Sequence, residues 1–152
     1  RALSPGVNDT TTAVMCVDHL TAILARLASR EIPSSRRYDG GELRVISVGE
    51  TFASIVAESF DQIRGSADGN VAIMLRMLGA LQTIASLTGS PSRRQVLREH
   101  VERIVEVAAR TIKSPHDRTR FESRLAQVRE VLSMAPPSTR TGAPTSPARR
   151  SS

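Results

Sequence analysis

Few residues in this 152-residue chain could do chemistry. Ser4-Pro5-Gly6-Val7-Asn8-Asp9, followed by Thr12, places a hydroxyl, an amide and a carboxylate in one turn ahead of a predicted helix. Side-chain oxygens there can cap the free N–H groups of the helix, or join them in holding a polar ligand or a cation. Asp9 as a carboxylate repels an anion, so a cation, an arginine or the cap itself suits that end. Ser4, Asn8, Asp9 and Thr12 are therefore candidate binding residues, with simple capping the favoured reading. Cys16 and His19 stand three apart around Asp18, and three neighbours on one helix can share a metal only with ligands from elsewhere. His100 and His116 are the other histidines, and no paired-histidine zinc spacing occurs. No metal or cofactor is expected; Cys16 reads as a small buried apolar residue and His19 as one at the helix edge.

The second group is cationic. Arg93, Arg94 and Arg98 fall in the first turns of a predicted helix, where positive charge opposes the helix dipole. A lipid headgroup, a phosphate or an acidic protein face would relieve that; so would Glu99 and Glu102 through i+3 and i+4 pairs, which is the favoured reading. Arg76 is the only charge on an otherwise apolar helix and needs an acid from another element if buried. No phosphate-binding glycine loop, nucleophile elbow or recognisable carboxylate pair is present, so the chain is not expected to be an enzyme.

Charge and composition narrow the classes further. The formal charge is +6, but the stretch from Ala135 onward carries Arg140, Arg149 and Arg150 and no acid. That leaves 18 basic against 15 acidic residues in Arg1–Met134, a net of +3. Aromatic residues make up 3%, which argues against stacking on single-stranded bases, and no nucleic-acid partner is expected. A lone cysteine excludes an internal disulfide. No stretch supplies the roughly 20 uninterrupted apolar residues of a spanning helix. Residue 1 is Arg, so the sequence is expected to begin inside a longer chain.

Five apolar-periodic segments must position these groups. They cover about Thr10–Ser29, Phe52–Arg64, Val71–Leu87, Ser92–Ile112 and His116–Met134. Thr51 and either Asp68 or Asn70 are suited to cap the second and third helices, and Ser90-Pro91 and Ser114-Pro115 open the last two. Val71–Leu87 is apolar on nearly every side, which predicts a central helix or one with an exposed apolar face. Between the first two helices, Asp39-Gly40-Gly41 allows a small β-hairpin of Arg37–Tyr38 against Leu43–Ile46. The fold expected is all-α, a bundle of about five helices over residues 1–134, with 135–152 a disordered basic tail rich in Pro, Ser and Thr.

The opening Arg1-Ala2-Leu3-Ser4-Pro5-Gly6-Val7-Asn8-Asp9 with Thr12-Ala13 resembles the signature Arg-Ala-Leu-Ser-Pro-Gly-Ile-Asn-Asp-Pro-x-Thr-Ala. That signature belongs to a family of bacterial predicted membrane proteins, the domain of unknown function 2254 family. Phe60-Asp61-Gln62-Ile63-Arg64 and Pro115-His116-Asp117-Arg118 agree more weakly. Thr10 departs from the family's Pro and removes a fixed first helical φ. The resemblance covers about Arg1 to Met134, the soluble C-terminal portion of such proteins. It implies membrane-spanning helices ahead of Arg1 and no settled activity.

The expectation is a non-enzymatic regulatory or assembly domain on the cytoplasmic side of an inner-membrane protein. Its partners would be the membrane-spanning part of the same chain and a second copy. The cytoplasmic side is inferred from the arginine excess and the lone thiol. The alternative is an anionic-lipid or nucleic-acid binding module built on the arginine-rich fourth helix and the tail.

Overall fold

The computed structural model describes residues 10–30, 36–39, 42–46, 51–67 and 69–134. Among these residues there are five helices: α1 (Thr10–Ala28), α2 (Phe52–Ser66), α3 (Val71–Leu87), α4 (Pro91–Thr111) and α5 (Pro115–Ser133). Between α1 and α2, strands β1 (Arg36–Asp39) and β2 (Glu42–Ile46) pair antiparallel, with Arg36 opposite Ile46, Asp39 opposite Glu42 and a register shift at Arg37/Tyr38. The predicted tail from Ala135 and the turn at Ser4–Asp9 lie outside the described residues.

The helices start where capping chemistry puts them. Thr51 and Ser54 form a reciprocal capping box, each side chain accepting from the other's backbone N–H, at 3.1 and 2.9 Å. Asn70, rather than Asp68, caps α3 by accepting from Ile73 N, and its amide donates to Thr10 Oγ1 at 2.9 Å. Ser90 and Ser114 cap α4 and α5, each followed by proline at the first helical position. Gly69 turns the chain into α3 at φ +73°, a left-handed conformation that strains any side chain.

Helix α3 is the axis of the bundle. Ile73, Met74, Met77, Leu78, Ala80, Leu81, Ile84 and Ala85 are all buried, which takes up the apolar surface that the sequence left unassigned. α1, α4 and α5 pack directly on α3, while α2 sits against α1 and α4. The stripes of α4 (Leu97, Val101, Ile104, Ala108) and α5 (Phe121, Leu125, Val128, Leu132) close the core. The expectation of a bare apolar face on Val71–Leu87 is corrected: only Leu87, at its end, is a large exposed apolar residue there. The bare surface lies on α1, where Met15 is 54% and Ile23 61% exposed.

No uninterrupted apolar run of about 20 residues occurs among the described residues, and α1 passes for a spanning helix only with two charges inside it. Its 19 residues reach a mean hydropathy of 1.3 despite Asp18 and Arg26, enough by length and composition to cross a membrane. Only 17% of that apolar window is buried in the bundle.

The architecture makes one quantitative statement about α3. Leu78→Ala removes a fully buried side chain from the central helix. It should lower unfolding free energy by about 2–5 kcal/mol in a denaturant titration, whereas Ala72→Ser on the exposed side of α3 should change it by under about 0.5 kcal/mol.

Candidate functional site

The arginines expected to face an anion face the protein's own carbonyls. Arg93 Nη1 donates to the carbonyls of Ala28 and Arg30 at the end of α1, at 3.0 and 2.9 Å. Its guanidinium also lies over the Phe52 ring, 5.3 Å from the centroid. Arg94 is 3% exposed. Its Nη1 donates to Ala85 O in the last turn of α3 at 2.9 Å, and its Nη2 to Val131 O and to Met134 O (3.0 Å for the latter) at the end of α5. Arg98 Nη2 donates to Leu132 O at 2.7 Å.

The C-terminal ends of α1, α3 and α5 therefore converge on the first turns of α4. Each of those ends carries carbonyls with no intrahelical partner and a partial negative charge. Three guanidiniums that oppose the dipole of α4 satisfy the dipoles of three other helices. The expected relief by Glu99 and Glu102 is not what forms. Glu99 accepts from the Gln95 amide at 3.2 Å, and Glu102 pairs across to Arg129 on α5 at 2.9 Å. Arg118 repeats the device at the far end of α4, donating to Ile112 O at 2.8 Å.

Because Arg94 serves three carbonyls from a buried position, Arg94→Leu should cost about 2–4 kcal/mol in denaturant unfolding. Arg94→Lys should recover only part of this, since an ammonium cannot fork between two helix ends.

The other candidates are dispersed. Arg76 forms an ion pair with Asp18 on α1, and both side chains are about half exposed, so the pair ties α1 to α3 while contributing little energy. Thr12 lies exposed on α1, and Ser4, Asn8 and Asp9 fall outside the described residues. The expected burial of Cys16 is corrected: it lies off the Val17, Leu24 and Ala28 stripe and is exposed, and His19, also exposed, bonds the Met15 carbonyl through Nδ1 at 2.8 Å. Among the described residues no group of three or more His, Cys, Asp or Glu could hold a metal ion.

The structure adds a group that the sequence did not single out. His100, 5% exposed, points Nδ1 at Asp61 Oδ1 of α2 across 3.9 Å. Arg64 and Arg103 stand 3.4 and 3.7 Å from the same oxygen, which is buried yet accepts no hydrogen bond. A signal was available: 94, 97, 100/101, 104 and 108 all fall on the buried stripe of α4, so Arg94 and His100 occupy core positions.

Burial holds the His100 imidazole below its ordinary value; Arg103 and Arg64 act in the same direction, while Asp61 and Glu99 oppose them. The native state thus keeps His100 neutral at pH values where the unfolded chain, near the usual value of about 6.5, already binds a proton. This contribution to stability is present above about pH 6.5 and is lost as pH falls toward the lower native value. Denaturant midpoints at pH 7.5 and 5.5 should show a drop for the parent chain and a smaller one for His100→Gln.

Two cavities flank the outer side of α3. One, of about 460 Å³, lies between α1 and α3 with Arg124 of α5 at its edge. The other, of about 550 Å³, opens beside it along α5 between Leu75, His116 and Gln127. Arg124 borders both, and its Nη1 donates to the side-chain oxygens of Gln82 (3.3 Å) and Gln127 (3.2 Å).

Comparison with known proteins matches these features to a family rather than to a reaction. Uncharacterized proteins from Mycobacterium tuberculosis and Mycobacterium bovis are 32% identical over 142 residues, covering 90% of this chain. The match takes in 27% of each relative, so the chain spans about a quarter of the length of the curated relatives it matches. No solved structure matches. Residues 1–83, which include α1, the strands, α2 and most of α3, match the family described as predicted membrane protein DUF2254. The chain belongs to that family of predicted membrane proteins.

Proposed function

We propose that this chain is a non-enzymatic assembly or regulatory domain, the soluble C-terminal portion of a bacterial inner-membrane protein, held on the cytoplasmic side. The observation that carries this reading is the half-clothed state of α1. One face, with Val17, Leu24 and Ala28, is buried in the bundle. The opposite face presents Met15, Cys16, Ala22 and Ile23 to solvent around His19 and Arg26, with no acid among them. A soluble helix ordinarily turns charged residues outward; one that keeps apolar residues on both sides has a second surface to meet. Membership in a family of predicted membrane proteins and the short share of each relative covered supply the context for that second surface. The helix-4 arm of a lipid- or nucleic-acid-binding reading finds its three guanidiniums already bonded to carbonyls.

The double variant Met15→Glu/Ile23→Glu tests the reading. Both side chains are more than half exposed, so the melting temperature of the 152-residue chain should hold while its self-association in sedimentation falls. In the full-length protein the same variant should loosen the domain, seen as faster proteolysis between it and the membrane part. A parent chain that is already a monodisperse monomer, with unaltered proteolysis of the full-length variant, would sink the proposal. A C-terminal reporter found outside the cell would overturn the cytoplasmic side.

A further inference from the structure

Helix α2 is held differently from the rest of the bundle. It packs on α1 and α4, whereas α1, α4 and α5 all pack on the central α3. The arginine pole ties α1, α3 and α5 to α4, and none of the carbonyls it bonds belongs to α2. What α2 contributes is an apolar stripe, Phe52, Val56 and Phe60, and a lid over His100.

Among the described residues the buried ionisable side chains are Arg94 and His100. Arg94 keeps its charge bonded to three carbonyls. His100 has no comparable shelter for a charge. The groups acting on its ring come from two helices: Asp61 and Arg64 from α2, and Glu99 and Arg103 from α4 itself. Arg64, Arg103 and the ring gather about a single atom, Asp61 Oδ1, at 3.4, 3.7 and 3.9 Å. That oxygen is withdrawn from water and accepts no hydrogen bond. A protonated His100 would be a third cation around one carboxylate, in a dry seam, with that carboxylate beyond hydrogen-bond reach. Water reaches the imidazolium when α2 moves off α4.

We propose that His100 is a proton-operated latch: its protonation loosens α2 from α4 and bares Val56 and Phe60, while α1, α3, α4 and α5 stay packed together. Under α2, burial holds the ring below its ordinary value. Once α2 is off, the ring returns toward about 6.5. Docking of α2 thus keeps its full strength above about pH 6.5 and weakens as pH falls toward the docked value. The opening equilibrium gains at most about ten-fold per pH unit on the way.

Amide hydrogen exchange of the 152-residue chain at pH 7.5 and 5.5, corrected for intrinsic rates, tests the latch. Amides in the middle of α2, such as Phe60, should lose about three- to ten-fold in protection, and those of α3, such as Leu78 and Leu81, less than about two-fold. The His100 ring, followed by NMR, should titrate over the same pH range as the α2 amides, with the exposed rings of His19 and His116 as references. His100→Gln should flatten the α2 response. Arg103→Gln, at a half-exposed site, should shrink it by removing a cation that opposes the ring's proton. Equal loss of protection in α2 and α3 would mark a change in global stability and overturn the latch. So would steady α2 protection across this range, a His100 ring that titrates apart from the α2 amides, or a full α2 response in His100→Gln. The ring titration needs no variant and decides the matter where His100→Gln does not fold.

Discussion

The bundle is organised around unsatisfied carbonyls. Helices α1, α3 and α5 bring their C-terminal ends to one pole, where three sets of orphan acceptors and three partial negative charges would repel each other and lose hydration. The first turns of α4 answer with Arg93, Arg94 and Arg98, whose donors reach all three ends. Arg94 bridges the C-terminal ends of α3 and α5, which share the core through Phe121, Leu125 and Val128. The planar fork of arginine suits this work, since one side chain can serve carbonyls in two directions. Side-chain caps and the hydrophobic stripes define the individual helices, while the arginine pole fixes how α1, α3 and α5 end together.

That division explains what could be read in advance. Caps at Thr51, Asn70, Ser90 and Ser114 and the stripes of α2, α4 and α5 are local patterns of three or four residues, and they locate the five helices within a residue or two. The burial of Val71–Leu87 is a tertiary outcome. Its period is apolar on all sides, so the sequence alone leaves open which neighbour covers it. The covering falls to α1, α4 and α5, and the surplus apolar surface moves to α1. α1 reaches a mean hydropathy of 1.3 over an 18-residue window, but Asp18 and Arg26 keep it from being an uninterrupted apolar run.

The candidate residues were harder to place, for a physical reason. An arginine at a helix start looks electrostatically wrong only while the other helix ends are unknown. Arg93, Arg94 and Arg98 were correctly singled out as out of place, but the carbonyls they bond are backbone atoms that no side-chain pattern records, and apart from Ala85 those lie 34 to 66 residues away. His100 and Arg124 were passed over for the opposite reason. Each sits at an ordinary-looking helical position and acquires meaning from Asp61 on α2 or from the cavity between α1 and α3.

The helices alternate in direction, and their number is odd. Thr10 at the head of α1 bonds to Asn70 at the head of α3, whereas Met134 beyond α5 meets Arg94 at the opposite pole. The two ends of the folded unit are thus separated by the length of a helix, about 30 Å for the 21 residues of α4. A bundle anchored through whatever is joined ahead of Thr10 would hold its arginine pole about three to four Debye lengths from the anchor, the screening length being about 8 Å in physiological salt. Charges at that distance are screened from the surface of a bilayer at the anchor, so the arginine pole acts on its own helix ends and not on that surface.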